Sequence, residues 1–266
     1  MKLTKAELRL QHQVQQLLFN NREKLTFSDR EFIYKNFHPG YISDIAKDSA
    51  YFTPLDMAYD FGLFCGRYGV CVDMCAGIGI LTFAARTRDH YDKKIKHSIC
   101  IERNERFAEI GKKLVPKAEW IVGDIFDKSI WDYIIDKYGK INCIYSNPPF
   151  GKVSKTDCDR SWLKYQGSEI DMAAIEIALS MVPKTPYVGK RVSMILPQGS
   201  TTFQYSGRPY YKEVDNRKVN KLIKESGIDF YMSNPGIDCS VYSDFKGTKI
   251  NVEYVDFEIK TKKAKS

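Results

Sequence analysis

Between residues 70 and 196 the chain repeats one pattern: a short apolar run, a turn, then a segment whose apolar residues recur at helical spacing. That alternation restricts the fold to βαβ units, in which helices cover both faces of a mostly parallel sheet. The spacing predicts strands over 70–73, 98–102, 119–122, 141–145 and 191–196, with helices over 80–88, 105–114, 131–138 and 170–181. A further helix is expected around 216–225. The segments 229–232 and 252–259 alternate as a terminal antiparallel pair would. The expected fold is therefore α/β and Rossmann-like, with a seven-stranded, mostly parallel sheet. Helical patches mark residues 1–48 as an N-terminal extension, 49–260 as the catalytic domain, and 261–266 as a lysine-rich tail with no apolar anchor, predicted to be disordered.

Composition narrows the class. At 266 residues and 43% hydrophobic content the chain can bury one sizeable core. Seven cysteines with no CxxC pair sit mostly inside apolar runs, and four scattered histidines show no ligand spacing, so no metal or disulfide framework is expected. No stretch of 18 apolar residues occurs, and the charged segment from Met1 to Leu17 lacks the pattern of a secretory signal, which predicts a cytoplasmic protein with no membrane partner. A net charge of +8 fits a polyanionic partner.

Two loops carry the chemistry. Asp73-Met74-Cys75-Ala76-Gly77-Ile78-Gly79 follows the first strand and opens a helix, so its glycines fall where backbone passes close to a neighbour or a ligand. Thr82 stands where a dinucleotide fingerprint would carry a third glycine, which argues against NAD. Glu102 and Asp124, at the next two strand ends, are placed to accept from ribose hydroxyls and from an adenine amino group; either could equally cap a helix. The second loop is Asn147-Pro148-Pro149-Phe150, directly after the run 141–146. Its prolines stiffen the backbone and remove two donors. The Asn147 side-chain oxygen and the Pro148 carbonyl can then accept two hydrogen bonds from one planar amino group, while Phe150 offers a ring for stacking. Asn-Pro also begins ordinary turns.

Taken in chain order, Tyr51-Phe52-Thr53-Pro54, Asp73 to Gly79, Glu102, Asp124 with Ile125, and Asn147 to Phe150 resemble the motifs of S-adenosylmethionine-dependent amino-methyltransferases of class I. The likeness is greatest to DNA N6-adenine methyltransferases and spans about residues 50–260. It extends to Leu196-Pro197-Gln198-Gly199 after the fifth strand and to 247–252 before the last. The resemblance implies S-adenosyl-L-methionine as cofactor, held by Tyr51, Phe52, Thr53, Pro54, Asp73, Cys75, Ala76, Gly77, Gly79, Glu102, Asp124, Ile125 and Asn147. It implies Asn147, Pro148, Pro149 and Phe150 as the catalytic loop, acting on adenine N6 in flipped-out DNA. Close variants of this loop occur in enzymes of RNA adenine, RNA guanine N2, DNA cytosine N4 and protein glutamine.

No separate target-reading domain is visible, so loops or a partner must grip the target. Residues 151–167 and 200–224 interleave basic and aromatic side chains, a composition suited to phosphate contact and base stacking. Lys152, Lys155, Arg160, Arg208, Lys212 and Arg217 are the candidate nucleic-acid contacts, on DNA in the first reading and RNA in the second. The lysines and arginines of 217–224 could instead be a solvated helix face. A third reading is a catalytically silent nucleic-acid-binding subunit, in an oligomer or beside a recognition partner.

Overall fold

The computed structural model describes residues 4–19, 24–38, 52–89, 94–151, 158–183, 191–242 and 250–260. Tyr51, Lys152, Lys155, the first half of the closing segment 247–252 and the tail 261–266 lie outside them. Three helices lead in: α1 (Lys5–Phe19), α2 (Phe27–Asn36) and α3 (Leu55–Phe64). The alternating part follows as β1 (Gly69–Asp73), α4 (Ile80–Arg88), β2 (Ile95–Glu102), α5 (Glu105–Leu114), β3 (Glu119–Val122), α6 (Lys128–Tyr138), β4 (Cys143–Ser146), α7 (Ile170–Met181) and β5 (Val192–Pro197). It ends with β6 (Phe203–Gln204), β7 (Lys212–Glu213), α8 (Arg217–Ser226), β8 (Phe230–Ser233) and β9 (Val252–Ile259).

Seven strands form one sheet in the order β3-β2-β1-β4-β5-β9-β8. Strands β1 to β5 run parallel, and β9 inserts antiparallel between β5 and β8. The strand alternation explains why both faces need cover. In β1, Val70 and Val72 enter one hydrophobic cluster and Cys71 the other; in β4, Ile144 enters the first while Cys143 and Tyr145 enter the second. A strand apolar on both sides is stable only when sandwiched. Helices α6, α7 and α8 close the first face with Trp131, Ile134, Ile175 and Leu222, and α1 to α5 close the second with Val14, Ile33, Phe61, Phe83 and Phe107. The N-terminal helices thus share the second core. Tyr34 also donates from its hydroxyl to the Ile78 carbonyl at 3.3 Å, and the Lys113 ammonium donates to the Leu18 carbonyl at 2.6 Å.

Several boundaries differ from those expected, and three of the differences have a visible cause. Strand β2 begins at Ile95 because Val70 pairs with His97, and the exposed Lys96 and His97 hide this pairing from an apolar count. Strand β4 begins two residues late because Asn142 turns its side chain onto β1, its Oδ1 accepting from Val70 N at 2.9 Å. The stretch read as a loop from Ser200 onward contains the short β6–β7 ribbon, registered Phe203 to Glu213 and Gln204 to Lys212.

Candidate active site

The order of the strands places the site. Sheet order reverses between β1 and β4, and a crevice opens at the carboxyl ends of the strands on either side of such a switch. A cleft of about 1030 Å³, open to solvent, lies there. From β3 to β4, successive strand ends present Asp124, Glu102, Gly77 and Asn147 to it. Three strand spacings make this row roughly 14 Å long. Phe52, Ile101, Phe107, Ile125 and Phe126 give the cleft apolar walls. An elongated ligand with a flat apolar ring at the Asp124 end and polar groups along its length fits that lining.

Of the residues expected around a cofactor, Phe52, Thr53, Cys75, Ala76, Gly77, Glu102, Asp124, Ile125 and Asn147 line this cleft, together with Pro148 and Pro149. Pro54, Asp73, Gly79 and Phe150 do not. Pro54 is the N-cap of α3 and is buried, and Phe150 packs half-buried against the second core. Sequence reasoning did not single out Phe107 or Ile170 as lining residues; Phe107 carries a usable signal, being an aromatic in the first turn after Glu102.

The glycines of the first loop are required by protein neighbours. Gly77 has φ +55°, and a Cβ there would stand 2.6 Å from the Phe52 ring; Gly79 has φ +86°, with Trp120 at 2.9 Å. Gly79 is also the N-cap of α4 in the left-handed region, where a side chain would be strained. Phe52 can therefore lie flat on the loop and form one wall of the cleft.

Glu102 organises the loop by its carboxylate. One oxygen accepts from Gly77 N at 2.7 Å and the other from Asn104 N at 2.8 Å. A carboxylate offers roughly four acceptor positions, so one facing the cleft can serve the loop and the hydroxyl groups of a ligand together. Asp124 accepts from Phe126 N at 3.0 Å, and Arg103 approaches its other oxygen at 3.9 Å. It caps no helix; Asp127 does that for α6.

Asp73 lies beneath the cleft. Its Oδ2 accepts from the Thr82 hydroxyl at 2.9 Å and from Thr82 N at 3.3 Å, while Oδ1 is buried without a hydrogen-bond partner among the described residues. Burial, and to a smaller degree the nearby Glu102 charge, raise its pKa while the Thr82 bonds lower it, and the balance takes it from 3.8 to about 7. The native state therefore holds this proton more tightly than the unfolded chain. Stability from that proton is complete below about pH 4 and is lost as pH rises through about 7. We expect the unfolding midpoint of the protein to fall between pH 5 and pH 8, and Asp73→Asn to flatten that fall by an amount on the order of 1–4 kcal/mol. Thermal melts at successive pH values check this; an unchanged slope in Asp73→Asn would refute it.

Asn147 joins the two sides. Its Nδ2 donates to Thr53 Oγ1 at 3.1 Å, so the residue after β4 is tied to the segment before α3. The Oδ1 atom is buried in this arrangement. A threonine hydroxyl can donate as well as accept, so a half-turn of the amide keeps the Thr53 contact while exchanging its two ends.

The candidate nucleic-acid contacts divide. Arg160 sits 4.4 Å over the Phe126 ring and donates to the Gly167 carbonyl at 3.5 Å, so it is part of the cleft's rim. Arg208 and Lys212 are exposed on the β6–β7 ribbon, beside Tyr210, which is 68% exposed. Phe203 is buried and stacks on Tyr211 at 5.2 Å. Arg217 is exposed at the start of α8, whose Val219 and Leu222 are buried while Lys218, Lys221 and Lys224 face solvent. Lys221 lies 5.4 Å over Tyr165, which gives α8 the solvated face with a packed tyrosine beneath.

Buried acids hold both rim loops by their backbones. Glu176 of α7 accepts from Lys164 N at 2.8 Å and Tyr165 N at 2.9 Å. Glu253 of β9, fully buried, accepts from Tyr205 N at 2.7 Å, Ser206 N at 2.9 Å, the Ser206 hydroxyl at 2.7 Å and Gln198 Nε2 at 2.8 Å. The Ser200 hydroxyl donates to buried Asp171 at the start of α7. Among the described residues there is no cluster of side chains able to hold a metal ion.

Comparison with known proteins agrees with this architecture. The methyltransferase subunit of a type I restriction-modification system from Streptococcus thermophilus aligns over 88% of this chain and 50% of its own length, at 16% identity and a TM-score of 0.53. The fold is that of the class I methyltransferases. Also similar are a tRNA m1G37 methyltransferase from M. jannaschii (17% identity, 83% of this chain and 54% of that one, TM-score 0.41) and an rRNA methylase from Streptococcus thermophilus (14%, 78% and 97%, 0.40). This chain spans about half the length of the first two. No protein-family model and no curated protein matches it. No described helix is long and apolar enough to cross a membrane.

Proposed function

We propose that the protein transfers a methyl group from S-adenosylmethionine to the exocyclic amine of a nucleobase, with adenine N6 in DNA as the target. The observation that carries this is one shared cleft: Asn147, Pro148 and Pro149 line the same space as Phe52, Gly77, Glu102 and Asp124. Glu102 would receive ribose hydroxyls, Asp124 the adenine amino group, and Phe52 with the first loop the methionine end. The cofactor supplies an electrophilic methyl on a sulfonium. The residues of the chain supply position. An aryl amine is a weak nucleophile because its lone pair is delocalised into the ring. Accepting its two N–H groups at Asn147 Oδ1 and the Pro148 carbonyl favours a tetrahedral nitrogen with its lone pair aimed along the cleft. The nitrogen–methyl bond forms as the sulfur–methyl bond breaks, positive charge appears on nitrogen beside the same two oxygens, and the proton leaves to solvent. Phe150, packed half-buried against the second core just after the loop, would have to turn its ring towards the cleft to stack on a base flipped out of its duplex.

Arg208, Lys212 and the exposed Tyr210 suit a nucleic acid approaching the rim. Base choice would rest on the rim loops or on a second subunit. The deciding experiment supplies labelled S-adenosylmethionine with unmethylated duplex DNA, total RNA and protein extract in parallel, followed by nucleoside analysis. N6-methyladenine in DNA is the expected product. Label in RNA alone would keep the chemistry and change the substrate, and label in none of the three would refute the assignment.

A further inference from the structure

A second large groove lies at the opposite edge of the sheet. It is lined by the first residue of β2, Ile95, by Arg67 just before β1, by the last turns of α4 and α5, and by the start of α2. Strands of five to eight residues separate it from the cleft, a distance of roughly 16–26 Å. Five cations border it: Arg30, Arg67, Arg86, Arg88 and Lys117. The one carboxylate in its lining, Asp89, is occupied in accepting from Lys94 N at 2.8 Å and Ile95 N at 3.1 Å.

Among the described residues none of the five cations makes an ion pair. Arg30 and Arg88 also carry buried Nε atoms with no hydrogen-bond partner there. An unsatisfied buried guanidinium donor is costly, and an anion accepting from its planar fork relieves that cost. The groove has an aromatic element as well. Phe27 is 50% exposed and stacks by one face on Phe83 at 5.4 Å, leaving the other face to solvent. Unpaired cations around an exposed ring suit single-stranded nucleic acid, with phosphates on the arginines and a base on the ring.

We infer that this groove is a second nucleic-acid contact, which holds a single-stranded flank of the substrate at a distance from the reacting base. The inference rests on the proposed function only in taking nucleic acid as the polyanion. A small phosphate compound would not need cations distributed over four elements.

The test is direct binding of the full chain, without cofactor, to a labelled single-stranded 20-mer in DNA and RNA forms, read by fluorescence anisotropy over a salt series. Arg67→Gln with Lys117→Gln is expected to weaken binding about tenfold and to lower the slope of log affinity against log salt by about 1.4, as the loss of two phosphate contacts on a single strand requires. Phe27→Ala is expected to weaken binding about fivefold or more with an unchanged salt slope, as loss of one stacked base requires. An unaltered affinity and slope in the double variant, at an unaltered melting temperature, would overturn the inference. So would equal competition by inorganic tripolyphosphate at matched phosphate concentration, which would mark a small-anion site. Because no methyl transfer is read, failure here leaves the catalytic assignment standing, and failure of transfer leaves this one standing.

Discussion

Asn147→Ala is expected to lower methyl transfer by three orders of magnitude or more while leaving the dissociation constant for S-adenosylmethionine within about threefold of the parent. The size follows from the role. A preorganised acceptor aimed at developing charge contributes about 3–4 kcal/mol to the barrier, and with it goes the orientation of the amine. On the proposed assignment cofactor affinity would be spread along the row from Asp124 to Gly77, which lines the same cleft, and would lose little when the far end is trimmed. The bond from Asn147 Nδ2 to Thr53 is also lost, which costs one neutral, partly buried hydrogen bond and not a buried charge. Single-turnover transfer and calorimetry on the same preparation separate the two quantities. Equal losses in both would mean that Asn147 serves the cofactor alone.

Glu253→Ala is expected to destabilise the protein by about 3–5 kcal/mol, the cost of leaving several buried donors with no acceptor. Tyr205 N, Ser206 N, the Ser206 hydroxyl and Gln198 Nε2 all converge on this one carboxylate. Exchange of the Tyr205 and Ser206 amide hydrogens is expected to accelerate before global unfolding. Chemical denaturation with hydrogen-exchange mass spectrometry would show this; a variant of parental stability with protected amides would refute the hub.

Much of the fold was legible in the sequence because the parallel strands are mostly apolar runs, and some of them end in a polar residue. Ile101 then Glu102, and Tyr145 before Ser146-Asn147, give both the strand and the polar end that lines the cleft in one reading. The fit of Phe52 against Gly77 was not legible, since the glycine announces a close approach without naming its partner. The position of Asp73 below the cleft was equally hidden, because its bond to Thr82 depends on how α4 returns over β1. The β6–β7 ribbon is two residues on each side, too short for any periodicity. The opposite groove assembles residues from Phe27 to Lys117 that share no local pattern, so only the folded chain brings them together.

The two rim loops are fastened by acids that grip main-chain N–H groups at Lys164, Tyr165, Tyr205 and Ser206. Every residue but proline offers the same N–H. The exposed side chain at 164 and the partly exposed one at 205 can therefore be exchanged without loosening the fastening, whereas Tyr165 is also held by its buried ring. Such a rim keeps its shape while its chemistry drifts, and a lineage built on this scaffold could change what its rim grips without first relearning how to fold.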